Sequence, residues 1–397
     1  MNQPAIVVIA YDRPDALKRL LDSIENAVYP ENTRPDLVIS IDKSDSDAVV
    51  NVAQSFSYSH GGKVVLARKS RLGLRKHVLS CGELTKDYGS IIVLEDDLFV
   101  APCFYEFACS ALDFSQEDDR IGSISLYNHL FNVHKRESFC AIDDGYDNYY
   151  LQLASSWGQA YTKDQWISFR TWYDANENRN LAAPAVPANV SGWSEKSWLK
   201  YYIVYLIETG RYTLYPRIGM TTNFGDAGTH ADKSDTDLQI PISGSRIHPY
   251  CNFSTTAQSR AVYDSFFEPV AFIRDGKIVF GLPQEASGTE DNEPLVTDLY
   301  GIKPVEKLLS GCSRVLSSQR LPYRIVKSFG RQMRPVDANI VYDVGGNDFY
   351  LYDMTERSQA PKSVPEALRF LYEYRGISAA RMMKMIKYRI SEKLGRS

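Results

Sequence analysis

Ser90-Ile91-Ile92-Val93-Leu94-Glu95-Asp96-Asp97-Leu98 is the segment that decides the fold. Residues 90–94 form a short apolar run rich in β-branched side chains and without polar alternation, the pattern of a strand buried on both faces. Three consecutive carboxylates end it, and a second apolar run follows. Carboxylates packed together repel one another, and a bound divalent cation is a common remedy. Such a cation can neutralise a diphosphate and stabilise it as a leaving group. A solvated acidic turn is the plain alternative; the position at the carboxyl end of a sheet strand favours the functional reading.

Working back toward residue 1, the same buried-strand pattern recurs. Residues 5–10 (AIVVIA) read as a strand. Asp12-Arg13-Pro14-Asp15 follows, with Pro where a helix can begin and acids near its N-terminus. Leu17, Leu20, Leu21 and Ile24 then recur at helical spacing. Residues 36–42 (DLVISID) and 63–67 predict strands, and residues 48–56 and 73–84 predict helices. This alternation predicts a doubly wound, mostly parallel sheet, which binds ligands at the carboxyl ends of its strands. Downstream the spacing predicts helices over 102–112, 164–173 and 194–208 and strands over 121–126 and 212–215. Residues 154–161 are an apolar stretch containing Gly158. Residues 176–192 and 225–237 read as loops. Beyond residue 240 the periodicity weakens, and no internal repeat is visible.

Several side chains near these strand ends carry chemistry. The turn Tyr11-Asp12-Arg13-Pro14 is not Gly-rich, so it is neither a P-loop nor a dinucleotide fingerprint. Arg13 offers a fixed fork of donors suited to a phosphate or a base edge, or it simply caps the turn. Asp42 ends the second strand, where it can accept from a nucleoside or serve as a helix N-cap. Arg68, Arg71, Arg75 and Lys76 form a basic patch that suits a diphosphate or a solvated helix face.

Taken together, three features carry a resemblance: the opening Ile6-Val7-Val8-Ile9-Ala10-Tyr11-Asp12-Arg13, the Asp at 42, and Glu95-Asp96-Asp97-Leu98-Phe99-Val100-Ala101-Pro102 before an aromatic helix. The chain resembles the GT-A-type glycosyltransferases, specifically the family of N-acetylglucosaminyltransferase I and its bacterial relatives, over about residues 5–232. The resemblance implies a Rossmann-like α/β nucleotide-sugar-binding domain with a mixed, mostly parallel sheet. It implies that Arg13, Asp42 and His77 hold the uridine and its ribose. By the same resemblance Glu95 and Asp96 support nucleotide and donor sugar, and Asp97 binds Mn²⁺ or Mg²⁺. The family's catalytic base matches Glu195 in Trp193-Ser194-Glu195-Lys196-Ser197-Trp198, with Asp174 and Glu177 in reserve. Ser155-Ser156-Trp157-Gly158 matches an acceptor segment, as an aromatic wall for a sugar or as core packing. Asn223-Phe224-Gly225-Asp226-Ala227-Gly228-Thr229-His230 resembles the family's Gly-rich loop, with His230 as a metal or phosphate ligand.

The implied activity is an inverting transfer from a UDP-sugar, UDP-GlcNAc first, to a glycan or lipid-linked oligosaccharide of a bacterial surface. A nucleotidyltransferase and a non-catalytic sugar-nucleotide-binding scaffold are the rivals. The expected organisation is a catalytic domain over 1–235, an accessory or acceptor-side region over 236–360, and a basic amphipathic helical tail over 361–397.

Composition fits this outline. The 397 residues are 44% hydrophobic and 24% charged, as in ordinary globular proteins, and 45 Lys+Arg against 49 Asp+Glu give no reason to expect a nucleic-acid partner. That balance hides a tail, residues 361–397, with nine Lys/Arg against three Glu. Its pattern suits a helix on an anionic membrane, or an apolar face packed on protein. The opening residues lack a cationic n-region, and the six cysteines show no C-x-x-C pair. The expectation is a cytoplasmic protein with reduced thiols; the membrane reading of the tail would place it peripherally on the inner face of the membrane, and the packing reading would not.

Overall fold

The computed structural model describes residues 3–226, 238–245, 251–283, 292–308 and 311–357, with five positions between 380 and 387. Two compact units divide the chain, Met1–Phe267 and Glu268–Ser397.

The first unit runs in order β1 (Ala5–Ala10), α1 (Pro14–Glu25), β2 (Leu37–Ile41), α2 (Ala48–Ser55), β3 (Lys63–Ala67), α3 (Leu74–Gly82), α4 (Thr85–Tyr88), β4 (Ser90–Glu95) and β5 (Leu98–Val100). It continues with α5 (Phe104–Phe114), β6 (Ile121–Ser125), the small hairpin β7 (Phe131–Asn132) and β8 (Glu137–Ser138), β9 (Asn148–Leu151), β10 (Gln159–Thr162) and α6 (Lys163–Asn176). The short α7 (Ala188–Ser191), α8 (Trp198–Glu208), β11 (Tyr212–Pro216), β12 (Thr221–Asn223) and β13 (Val262–Tyr263) complete it. Nine strands form one sheet in the order β13-β9-β11-β6-β10-β4-β1-β2-β3. The fold is α/β with a mixed, mostly parallel central sheet. Strands β3, β2, β1 and β4 run parallel, β10 runs against β4 and β6, and β11 runs with β6.

Direction matters for the site. The carboxyl ends of β1, β2, β4 and β6 share one sheet edge with the entry into the reversed strand β10. Register is fixed by pairs such as Val8↔Leu94 and Ile9↔Glu95. Every residue of β1 is buried, which is why the run 5–10 shows no polar alternation. On α1, Leu17, Leu20, Leu21 and Ile24 are all 0% exposed, and each such side chain contributes roughly 1.5–3 kcal/mol by leaving water.

The sequence-predicted helix over 194–208 begins later, at Trp198. Ser197 takes the cap, its side chain accepting from the Lys200 backbone N–H at 3.3 Å. Glu195 is thereby left in the preceding turn. Strand β13 closes the far edge of the sheet, so the first unit runs on to residue 267.

The second unit is a six-stranded sheet in the order β15-β14-β16-β17-β19-β18, built from β14 (Ala271–Arg274), β15 (Lys277–Phe280), β16 (Glu293–Asp298), β17 (Arg314–Ser317), β18 (Tyr323–Phe329) and β19 (Phe349–Arg357), with α9 (Ala338–Val341) as its short helix. Val305, Val315, Leu321, Tyr323, Tyr350 and Tyr352 form its core. Apart from the five positions named above, the tail 361–397 lies outside the described residues, as does His230. Among the described residues no helix is long and apolar enough to cross a membrane.

Candidate functional site

The acidic segment sits where β4 leaves the sheet. Because β1 and β4 are parallel neighbours, the turn after β1 overhangs the acids. Arg13 stands at the N-cap of α1 but makes no side-chain capping bond there. Its guanidinium reaches across instead. Nη1 donates to Asp97 Oδ2 at 2.9 Å and Nη2 pairs with Asp96 Oδ1. Burial works against the Arg13 charge, but the charges of Asp96 and Asp97 and their hydrogen bonds outweigh it and raise its pKa.

Asp96 and Asp97 share this one cation, with Glu95 beside them. Burial of the Glu95 carboxyl, then the charges of Asp97 and Asp96, push it up to about 8, with Arg13 and the Ser156 hydroxyl acting the other way. Burial likewise pushes Asp96 up to about 6 against the opposing charge of Arg13. Asp97 Oδ1 is buried and, among the described residues, has no hydrogen-bond partner. Among the described residues no three His, Cys, Asp or Glu side chains form a ready-made metal cage. The donor set still fits a hard divalent cation. Mg²⁺ in particular is held by one or two carboxylates with water and substrate phosphates completing the shell, and the open oxygen of Asp97 could serve as one of these.

The flanks of this segment are fixed by neighbours. Strand β5 pairs antiparallel with β12, and the Phe224 N–H donates to the Asp97 carbonyl at 3.0 Å. Arg19 of α1 lies 3.8 Å over the Phe224 ring and pairs with Asp226. On the other side, Ser155-Ser156-Trp157-Gly158 leads into β10 beside Glu95. Thr221 Oγ1 donates to the Trp157 carbonyl at 2.5 Å, and Gly158 has φ 98°. A Cβ at Gly158 would meet Thr221 Cγ2 at 3.0 Å, so glycine is required there on two counts. The partly exposed Trp157 ring packs 4.7 Å from Tyr127 and 6.1 Å from His129, making an aromatic wall next to the acids.

Farther along the edge, Asp42 is buried and its carboxylate organises the turn into α3. Oδ1 accepts from the N–H groups of Lys43 at 2.9 Å and Leu72 at 2.8 Å, and Oδ2 from that of Gly73 at 2.9 Å. One acceptor position on Oδ2 is left over. His77 is buried behind it with Nε2 2.8 Å from Ser40 Oγ; burial, helped by the Arg68 charge and opposed by that of Asp42, lowers it to about 4. Arg71 lies 4.7 Å over the Tyr11 ring.

Glu195 occupies different surroundings. Lys200 Nζ donates to Oε1 at 2.7 Å and the Tyr201 hydroxyl to Oε2 at 2.6 Å. These two bonds hold its carboxyl below the usual range, although its side chain is 70% exposed. Arg75, from the first turn of α3, donates to the same Tyr201 hydroxyl at 2.8 Å. Asp174 is on the surface, paired with Arg170 at 2.8 Å, and the Glu177 carbonyl lies 3.0 Å from Tyr201 Oη.

Two of the solved structures that resemble this chain illustrate the likeness. One is S. aureus TarS 1-349, with TM-score 0.35, 12% identity, and coverage of 55% of this chain and 59% of that one. The other is mannosyltransferase PcManGT from Pyrobaculum calidifontis in complex with GDP-Man and Mn²⁺, with TM-score 0.34, 13% identity, and coverage of 54% and 55%. Each match spans little more than half of the neighbour's own length, and likeness of this degree assigns neither a fold family nor an activity. No protein-family model matches the sequence, and no curated protein matches it.

Arg13, Glu95, Asp96 and Asp97 thus come together at one point of the sheet edge, with Asp42 and His77 two strands away. Sequence reasoning missed the Arg19–Phe224–Asp226 contact and the Ser40–His77 pair, which depend on side chains meeting across long sequence separations. The buried Lys200 was also missed, although a lysine inside the apolar run of α8 is a signal that could have pointed to a buried partner.

Proposed function

We propose that this chain is an inverting, metal-dependent glycosyltransferase of GT-A type that takes a UDP-sugar, with UDP-GlcNAc as the first donor to try. The observation that carries the proposal is the open, buried Oδ1 of Asp97 at the carboxyl end of β4, set between the Arg13 fork and the Trp157 wall. A divalent cation held at Asp97, Mn²⁺ or Mg²⁺, would supply charge neutralisation for the departing diphosphate. Asp42, with its one spare acceptor position, and His77 behind it shape the nucleoside end, where Tyr11 and Arg71 offer a flat, cationic face. Trp157 and Tyr127 provide a surface on which an acceptor sugar ring can stack.

Inversion by direct displacement requires a group that takes the proton of the attacking hydroxyl. Glu195 is the proposed base. It is exposed and ionised, as a base must be, and the donors Lys200 and Tyr201 fix its orientation while lowering its basicity. The acceptor is proposed to be a glycan or lipid-linked oligosaccharide, and the basic residues of 361–397 to bring the protein to an anionic membrane. In the full chain, vesicle binding unchanged by Lys384→Glu, Lys387→Glu and Arg389→Glu together would remove that last element.

A panel of nucleotide sugars, with nucleotide release followed with and without Mn²⁺, tests the central reading. Metal-dependent release from one donor, lost in Asp97→Asn, is the expected result. Release that is independent of metal, or unaffected by Asp97→Asn, would overturn it.

A further inference from the structure

We propose that Arg13 is a built-in counter-cation that competes with the divalent ion for Asp97 and so weakens the binding of that ion. The inference rests on the metal-dependent reading of the Asp97 site given above. The Arg13 side chain does nothing for its own helix, since it stands at the N-cap of α1 yet caps nothing there. Among the described residues its hydrogen bonds go to the acids, with one nitrogen to each aspartate. The backbone that carries it cannot retreat, because Pro14 opens α1 and Leu17, Leu20, Leu21 and Ile24 lock the helix into the core. Only the guanidinium can swing.

The two aspartates differ in what they would lose. Asp96 is the more deeply buried, 4% exposed at the side chain against 14% for Asp97, and it also accepts from the Tyr11 backbone. Asp97 has one oxygen on Arg13 and, among the described residues, no partner for the other. A divalent ion taking Asp97 therefore meets a fixed positive charge already on the same carboxylate, and the two repel at short range. The guanidinium keeps Asp96 and frees one edge of its fork, which is the geometry an arriving phosphate oxygen would use. If Arg13 instead supported the ion by shaping the carboxylates, its removal would weaken binding; as a competitor, its removal strengthens binding.

Mn²⁺ alone, titrated into the full-length protein with free Mn²⁺ read by electron paramagnetic resonance, separates the two. Arg13→Met is expected to bind at least tenfold more tightly than wild type. Arg13→Lys, whose point charge reaches one carboxylate at a time, is expected to fall between. Asp97→Asn is expected to bind at least tenfold more weakly. Equal or weaker binding by both Arg13 variants, with Asp97→Asn impaired, would overturn the counter-cation and leave the metal site standing. Wild-type affinity in Asp97→Asn would overturn the metal site and this inference together. Should Arg13→Met not fold, Arg13→Lys decides alone: tighter binding supports the competitor, equal or weaker binding overturns it.

Discussion

Asp96, among the acids at the end of β4, and Asp298 at the end of β16 are both buried, but the two regions differ in their partners. Asp298 is 0% exposed and accepts from the N–H groups of Ile302 at 2.8 Å and Lys303 at 2.9 Å, from Ser317 Oγ at 2.8 Å and from Gln319 Nε2 at 2.7 Å. Burial raises its pKa as it raises those of Glu95 and Asp96, so the direction of the shift does not tell the two regions apart. What separates them is open valence. Asp298 is surrounded by donors and ties a turn to a strand, whereas Asp96 and Asp97 share Arg13 and, among the described residues, one Asp97 oxygen has no partner. A carboxylate used for architecture is saturated by the chain itself; one kept for a ligand is not.

The sharpest way to break this contrast is to neutralise one acid in each region. Asp97→Asn is expected to lower metal-dependent turnover by about 10³-fold or more, while its unfolding midpoint in urea stays close to wild type, since only the bond to Arg13 is weakened. Asp298→Ala is expected to do the reverse to stability. Stranding four donors in a buried turn should cost about 4 kcal/mol, read as a lower denaturant midpoint of the second unit. A stable Asp298→Ala, or an Asp97→Asn as unstable as Asp298→Ala, would erase the distinction.

Glu195 tests the rule from the other side, because the chain supplies a donor to each of its oxygens and yet it is proposed to be catalytic. Glu195→Gln is expected to reduce turnover by roughly 10²-fold, at the lower end of general-base effects, with Mn²⁺ affinity unchanged. A loss of less than threefold would move Glu195 into the architectural class with Asp298, as the anchor for Lys200 and Tyr201.

The same contrast explains what could be read in advance. Strands β1, β2 and β4 were legible because burial on both faces imposes unbroken apolar runs, and the acids of 95–97 stood out against such a run. The second unit was not legible. Strand β18 is exposed along most of its length and its pairing with β19 slips at Tyr323/Arg324 and at Ile325/Lys327, so the two-residue alternation that would announce it is lost. Side-chain meetings such as Arg19 with Phe224 and Asp226 leave no local trace, because neither partner is unusual where it stands. The open oxygen of Asp97 also belongs to this class. The sequence shows three carboxylates in a row, but which of their oxygens goes without a donor is settled by the turn after β1.

A smaller effect concerns the basic side of the same edge, where His77 supports the Asp42 turn. Burial lowers His77 from 6.5 to about 4, so the unfolded chain takes up its proton first as the medium is acidified. The stability provided by the neutral ring is complete above pH 6.5 and is lost as pH falls from there through about 4. At about 1.4 kcal/mol for each unit, acidification from pH 6.5 to pH 5 is expected to remove roughly 2 kcal/mol. His129 and His134, which burial lowers to about 3 and about 4, add to the same slope. His77→Gln keeps a group able to bond Ser40 but cannot titrate. Its unfolding free energy, followed from pH 7 to pH 5, should therefore decline less steeply than that of wild type by about that 2 kcal/mol. Parallel declines would mean that His77 is protonated in the folded protein at pH 5 and that the Ser40 bond survives its charge.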